Sequence, residues 1–193
     1  RPVARVQQAT LMTPFGKKLR EMRATRGIAL KAMAHEIGVS PAYLSALEHV
    51  LYAVDPANGR EIWQTKLGGA LADTPALMDG KVLAGTFGAG LAAVQADTGA
   101  VAWTHPTDGW VWGNPVAFDG LAFFGDLKNT AYAVRIEDGG AEWRLALDGP
   151  ITSTPAVVGD NVVFVTEAGT VYMLRTSDGG VVWKVTLEAD LFS

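Results

Sequence analysis

The sequence predicts a mainly β chain, a partial ring of four-stranded blades preceded by a small α-helical module. Three observations carry that expectation. Trp63, Trp103, Trp143 and Trp183 stand forty residues apart. Gly59, Gly99, Gly139 and Gly179 each precede one of them by four residues, and Pro75, Pro115 and Pro155 each follow one by twelve. A fixed period near forty residues marks stacked supersecondary units, each of which buries its apolar face against the next. The third observation is a change of composition near Leu51. Residues 1–50 hold eight Lys/Arg against three Asp/Glu, whereas residues 51–193 hold eight against seventeen, together with all six tryptophans. The expected division is a tail or linker over 1–12, a helical unit over 13–50 and the β-repeat over 51–193.

Composition bounds the chemistry. Almost half of the 193 residues are hydrophobic, enough for a packed core. No apolar run approaches the 18 or so residues of a membrane span, and residues 1–13 lack the apolar stretch of a secretion signal. There is no cysteine, which excludes disulfides, thiolate metal sites and cysteine nucleophiles.

In chain order, Thr13-Pro14 reads as a helix start, a hydroxyl cap followed by proline in the first turn. Phe15, Leu19 and Met22 then recur at helical spacing, with Lys17, Lys18, Arg20 and Arg23 on the other face, and Arg26-Gly27 closes the helix. A second helix is expected from about Leu30 to Ile37. Gly38-Val39-Ser40 makes a tight turn, and Pro41 opens a third helix from Ala42 to about His49. Two short helices across a glycine turn form a helix-turn-helix.

The residues of this unit, Phe15 to Arg20 and then Ala34-His35-Glu36-Ile37-Gly38-Val39-Ser40-Pro41-Ala42-Tyr43-Leu44-Ser45-Ala46-Leu47-Glu48, resemble the phage-repressor-like, XRE-type DNA-binding family. The resemblance implies that Ser40, Pro41, Ala42, Tyr43 and Ser45 approach the major groove while Lys17, Lys18 and Arg20 contact phosphates. None of the groove positions is Arg, Gln or Asn, so base readout would be poor. Members of that family carry further helices after the third, whereas here the β-repeat begins at once.

Each forty-residue unit opens with an apolar strand: Leu51–Val54, Leu91–Val94, Ala131–Val134 and Val171–Leu174. Turn signals follow at Asn58-Gly59, Thr98-Gly99, Asp138-Gly139 and Asp178-Gly179, and a second strand ends in the tryptophan. A third strand surrounds each proline. A fourth follows Asp79-Gly80, Asp119-Gly120 or Gly159-Asp160. Four strands per period is the arithmetic of a β-propeller blade. The wording Leu51-Tyr52-Ala53-Val54-Asp55 through Gly59 to Trp63 resembles the PQQ-like β-propellers. That resemblance covers 51–193. It implies three full blades from about Ala70 to Leu187 behind the outer half of another, with Trp63, Trp103, Trp143 and Trp183 as structural staples between blades.

The same resemblance raises a quinone cofactor. The quinoprotein dehydrogenases of that family use an adjacent cysteine pair, a calcium site of Glu, Asn and Asp, and a catalytic Asp. The absence of cysteine here argues against catalysis, and other members are non-catalytic scaffolds such as outer-membrane assembly lipoproteins. Gly85-Thr86-Phe87-Gly88-Ala89-Gly90 precedes a strand rather than a helix, so it reads as a blade turn and not a phosphate loop. His35, His49 and His105 are isolated, the recurrent aspartates Asp55, Asp79, Asp119, Asp160 and Asp178 suit turns, and no metal or cofactor is expected. Trp110 and Trp112 fall off the beat, where the neighbouring units have Ala70 and Ala72, then Pro150 and Thr152. They are placed at the start of an inner strand as candidate partner-binding residues.

Two functions follow. One is a non-enzymatic propeller scaffold, binding a protein partner or self-associating through open blade edges. The other is a DNA-binding regulator whose repeats mediate oligomerisation or sense a ligand. The chain as written suits the cytoplasm, whereas propellers of this kind are extracytoplasmic. That conflict, and the abrupt junction at Val50-Leu51, point to a chimera or fragment.

Overall fold

The computed structural model describes residues 49–55, 60–71, 75–88 and 90–187. The helix-turn-helix expected over 13–50 lies outside them except for His49 and Val50, the latter opening the first strand. No helix occurs among the described residues.

Among the described residues fifteen strands make four antiparallel sheets. The first is a hairpin of β1 (Val50–Val54) and β2 (Glu61–Lys66). The second comprises β3 (Ala70–Leu71), β4 (Ala76–Met78), β5 (Lys81–Phe87), β6 (Gly90–Gln95) and β7 (Val101–His105), with β3 and β4 pairing at different points along β5. The third runs β8 (Val116–Phe118), β9 (Leu121–Gly125), β10 (Thr130–Arg135) and β11 (Ala141–Ala146). The fourth runs β12 (Ala156–Val158), β13 (Asn161–Val165), β14 (Thr170–Arg175) and β15 (Val181–Thr186). Each full sheet is a meander that joins the last strands of one forty-residue unit to the first two of the next, and successive sheets pack face to face as propeller blades do. The tryptophan strands run past the indole by three residues in β2 and β11 and by two in β7, rather than ending on it.

Strand alternation sorts the core. In the third blade Phe123, Ala131, Ala133 and Trp143 point forward, where they meet Val162, Phe164, Tyr172 and Leu174 of the fourth. Ala122, Phe124, Tyr132 and Val134 point backward onto Leu83, Leu91 and Ala93 of the second. Leu51 and Trp63 of the hairpin likewise meet Val82, Ala84, Ala92 and Val94. The indole sits opposite a small residue on the paired strand, Ala53 for Trp63, Ala93 for Trp103 and Ala133 for Trp143. One bulge follows that pair in every blade, which re-aims the rest of the strand.

The turns obey backbone sterics. Asp79-Gly80 and Asp119-Gly120 have positive φ at both residues, as a two-residue hairpin turn of the mirror type requires. In the reversed pair Gly159-Asp160, Gly159 carries the positive φ. Gly99 is constrained twice. Its φ is +74°, and a β-carbon there would stand 2.7 Å from the ring of Trp63.

Candidate functional site

Successive antiparallel strands put the β9–β10 turn and the connections between blades at one end of the sheets, and the β8–β9 and β10–β11 turns at the other. The first end carries an aromatic cluster. Phe87, the last residue of β5, lies between two indoles, with its ring centroid 5.0 Å from that of Trp110 and 5.4 Å from that of Trp112. Trp110 and Trp112 remain 52% and 44% exposed. Both belong to the connection between β7 and β8 rather than to a strand.

Val111 explains why the two rings stand out. It is fully buried, and Gly85 of β5 leaves room for it: a β-carbon at Gly85 would fall 2.8 Å from Val111 Cγ1. The Val111 amide donates to the Thr86 carbonyl at 3.4 Å, and the Leu127 amide donates to the Trp110 carbonyl at 3.0 Å. With Val111 pinned inward, its two neighbours remain on the surface. Leu71 and Ile151 are buried at the same place in the other units. This is a fourth forty-residue register, which the tryptophan, glycine and proline beats leave unread.

Asp126 bolts the connection down. Its carboxylate is completely buried and accepts from the Gly109 amide (2.9 Å), the Lys128 amide (2.9 Å), the Thr130 amide (3.0 Å) and the Tyr132 hydroxyl (2.9 Å). Burial first, and then the Asp126 carboxylate, push the Tyr132 phenol up to about 12. The other blades have Thr86 and Thr166 in this place, each with a hydroxyl hydrogen bond of its own. Sequence reasoning missed both Phe87 and Asp126. The signal for Asp126 was a carboxylate where the repeat elsewhere has threonine.

The opposite end is polar. A cleft of about 540 Å³ lies between Asp79, Lys81, Asp119, Arg135, Glu137 and Glu142. Arg135 forks onto Asp138, Nε to Oδ1 and Nη2 to Oδ2 at 3.1 Å each, and holds that carboxyl below the usual carboxylate range. His105 donates from Nδ1 to the Gly139 carbonyl of the next blade at 2.8 Å. Among the described residues no group of three or more His, Asp and Glu side chains could hold a metal. With no cysteine in the chain either, the residues present do not fit the quinone and calcium group of the dehydrogenases.

The four tryptophans on the beat divide into two kinds. Trp63, Trp103 and Trp143 each donate from Nε1 to a backbone carbonyl of the following blade, those of Ala96 (2.9 Å), Ile136 (3.0 Å) and Thr176 (2.8 Å). Each also lies against the following glycine, Gly99, Gly139 or Gly179. Trp183 has no such blade after it among the described residues and is 41% exposed. The sequence candidates for DNA contact, Lys17, Lys18, Arg20, Ser40, Pro41, Ala42, Tyr43 and Ser45, lie outside the described residues.

The comparisons agree with this architecture. The family described as outer membrane protein assembly factor BamB matches residues 47–191. No curated protein matches the sequence. Among solved structures, BamB from Moraxella catarrhalis is 19% identical, with a TM-score of 0.62 over 72% of this chain and 42% of that one. A europium-containing methanol dehydrogenase is 17% identical, with a TM-score of 0.66 over 75% and 39%. The quinohemoprotein alcohol dehydrogenase from Comamonas testosteroni is 17% identical, with a TM-score of 0.65 over 75% and 33%. The chain thus spans less than half the length of each. At these identities the likeness shows the fold alone.

Proposed function

The chain belongs to the family of the outer membrane protein assembly factor BamB, and we propose that it is a non-enzymatic propeller scaffold that holds partner proteins through Trp110, Trp112 and Phe87. The observation that carries this reading is the aromatic cluster. Two indoles are held half in water by a backbone that Val111 and Asp126 fix in place. Rigid exposed aromatics are the side chains that anchor protein contacts, because they bury much area for little lost freedom. An assembly factor for outer membrane proteins meets extended strands of alternating apolar and polar residues, and such a strand offers a ring or branched side chain every second position. Non-catalytic action is favoured by the donor set, which lacks cysteine throughout and any metal-holding carboxylate group among the described residues. The DNA reading has no comparable support, since the family match begins only at residue 47.

The test is calorimetric titration with an isolated ten-residue strand peptide of alternating aromatic and polar residues. Binding in the micromolar range, weakened at least tenfold in the Trp110→Ala/Trp112→Ala double variant, is expected. Equal binding by the double variant, no binding by the parent, or quinone-dependent alcohol oxidation would each overturn the proposal.

A further inference from the structure

Six Asp-Gly pairs punctuate the repeat: Asp79-Gly80, Asp108-Gly109, Asp119-Gly120, Asp138-Gly139, Asp148-Gly149 and Asp178-Gly179. This dipeptide carries a reaction of its own. The glycine amide nitrogen attacks the aspartyl Cγ, since glycine has no side chain to block the approach. The N–Cγ bond forms, the Cγ–OH bond breaks, and the hydroxyl leaves as water with the amide proton. Water then opens the five-membered imide. Where it adds at the α-carbonyl, the main chain is left running through the side-chain carboxyl, an isoaspartate of unchanged composition. The reaction needs a free glycine amide and a free, protonated carboxyl.

The fold withholds one or both from four of the six pairs. Arg135 and Arg175 fork onto Asp138 and Asp178, and the same carboxylates accept from the Gly140 and Gly180 amides at 2.8 Å each. Those arginines hold both carboxyls below the usual carboxylate range. The Gly139 and Gly179 amides donate to the Arg135 and Arg175 carbonyls, at 2.9 and 3.0 Å. Asp148 accepts from the Thr166 hydroxyl at 2.8 Å, Thr170 and Thr166 hold its carboxyl low, and Gly149 is buried. The Gly109 amide is engaged by Asp126.

Asp79-Gly80, between β4 and β5, and Asp119-Gly120, between β8 and β9, have no such restraint. All four residues are exposed. A β-carbon on either glycine would meet nothing within 4 Å. Neither carboxylate and neither glycine amide has a hydrogen bond or ion pair among the described residues. Each aspartate also holds a positive φ, 47° and 49°, which is costly for a residue with a β-carbon. Both aspartates line the polar cleft. The fourth blade has the reversed pair Gly159-Asp160 in this turn and lacks the reactive order.

We propose that Asp79 and Asp119 are modification sites, isomerising spontaneously to isoaspartate in the folded protein, and that the fold protects the other four Asp-Gly pairs. Each event adds one carbon to the main chain at a two-residue turn and moves a carboxylate in the wall of the cleft. It is independent of the aromatic cluster at the opposite end.

Peptide mapping of the full chain, aged for weeks at mildly acidic pH, tests this, with electron-transfer fragmentation to tell the isomers apart at equal mass. Isoaspartate should accumulate at Asp79 and at Asp119 at least tenfold faster than at Asp108, Asp138, Asp148 or Asp178. In urea, where the fold is lost, that preference should vanish. A second comparison removes carboxyl protonation, because the leaving group becomes ammonia: Asp119→Asn should deamidate at least tenfold faster than Asp138→Asn, read as a gain in intact mass. The proposal is overturned if either Asp79 or Asp119 reacts no faster than the protected sites, if the preference survives in urea, or if the two variants deamidate equally.

Discussion

Asp126 shows how one side chain fixes a surface. A buried carboxylate is costly unless every lone pair is used, and four donors from three segments converge on this one. The arrangement fastens the segment bearing Trp110 to the β9–β10 turn, so the indole does not have to be ordered on binding. Tyr132 makes the link titratable. Its phenol ionises at about 12 when folded and near 10 when unfolded, so the stability it adds is complete below pH 10 and is lost as pH rises towards 12. In urea titrations across that range the parent should weaken steeply. Tyr132→Phe should flatten this alkaline limb and cost about 1 kcal/mol at neutral pH, because three amide donors remain on the carboxylate. An unchanged alkaline limb in the variant would show that the titration lies elsewhere.

At the scale of the element, the unit is the blade and its staple. Each covered tryptophan combines an apolar contact across the interface with one hydrogen bond to a carbonyl 33 residues on. Two residues beyond Trp63 and Trp103, the Thr65 hydroxyl and the His105 ring add a second tie to the glycine carbonyl of the next blade. Truncating a buried indole removes both area and packing. Trp143→Ala should therefore cost about 3–5 kcal/mol in chemical denaturation. Trp183→Ala, at an indole that is already 41% exposed, should cost less than about 1 kcal/mol. Equal costs would mean that Trp183 is covered by something within the same chain. Among the described residues the four-strand period and the Asp-Gly turns were legible in the sequence, because alternation and such turns are local signals, while the turn expected at Asn58-Gly59 lies outside them. β3 was not, since a two-residue strand leaves no period to read.

At the scale of the molecule, the core of the described residues is three apolar clusters in a row, each shared by two neighbouring sheets. Stability in such a stack is a sum of nearest-neighbour terms, so damage stays local. Phe164 is fully buried in the cluster between the third and fourth blades. Phe164→Ala should raise amide exchange in β12–β15 by at least a hundredfold while leaving β5–β7 near parental rates, measured by mass spectrometry. A uniform rise along the chain would instead indicate one cooperative core.

By itself the sequence determined the period, the strand and turn order, and the alternation that decides which side chains leave the plane of each sheet. These depend on neighbours a few residues apart and on backbone sterics. Only the tertiary structure decided which indoles are covered, because Trp63, Trp103, Trp143 and Trp183 share one local pattern and differ in whether a blade follows among the described residues. It also brought Phe87 between Trp110 and Trp112 and gathered four donors around Asp126. Those contacts join separate turns and connections of adjoining strands and blades, and their distances are set by how one sheet stacks on the next.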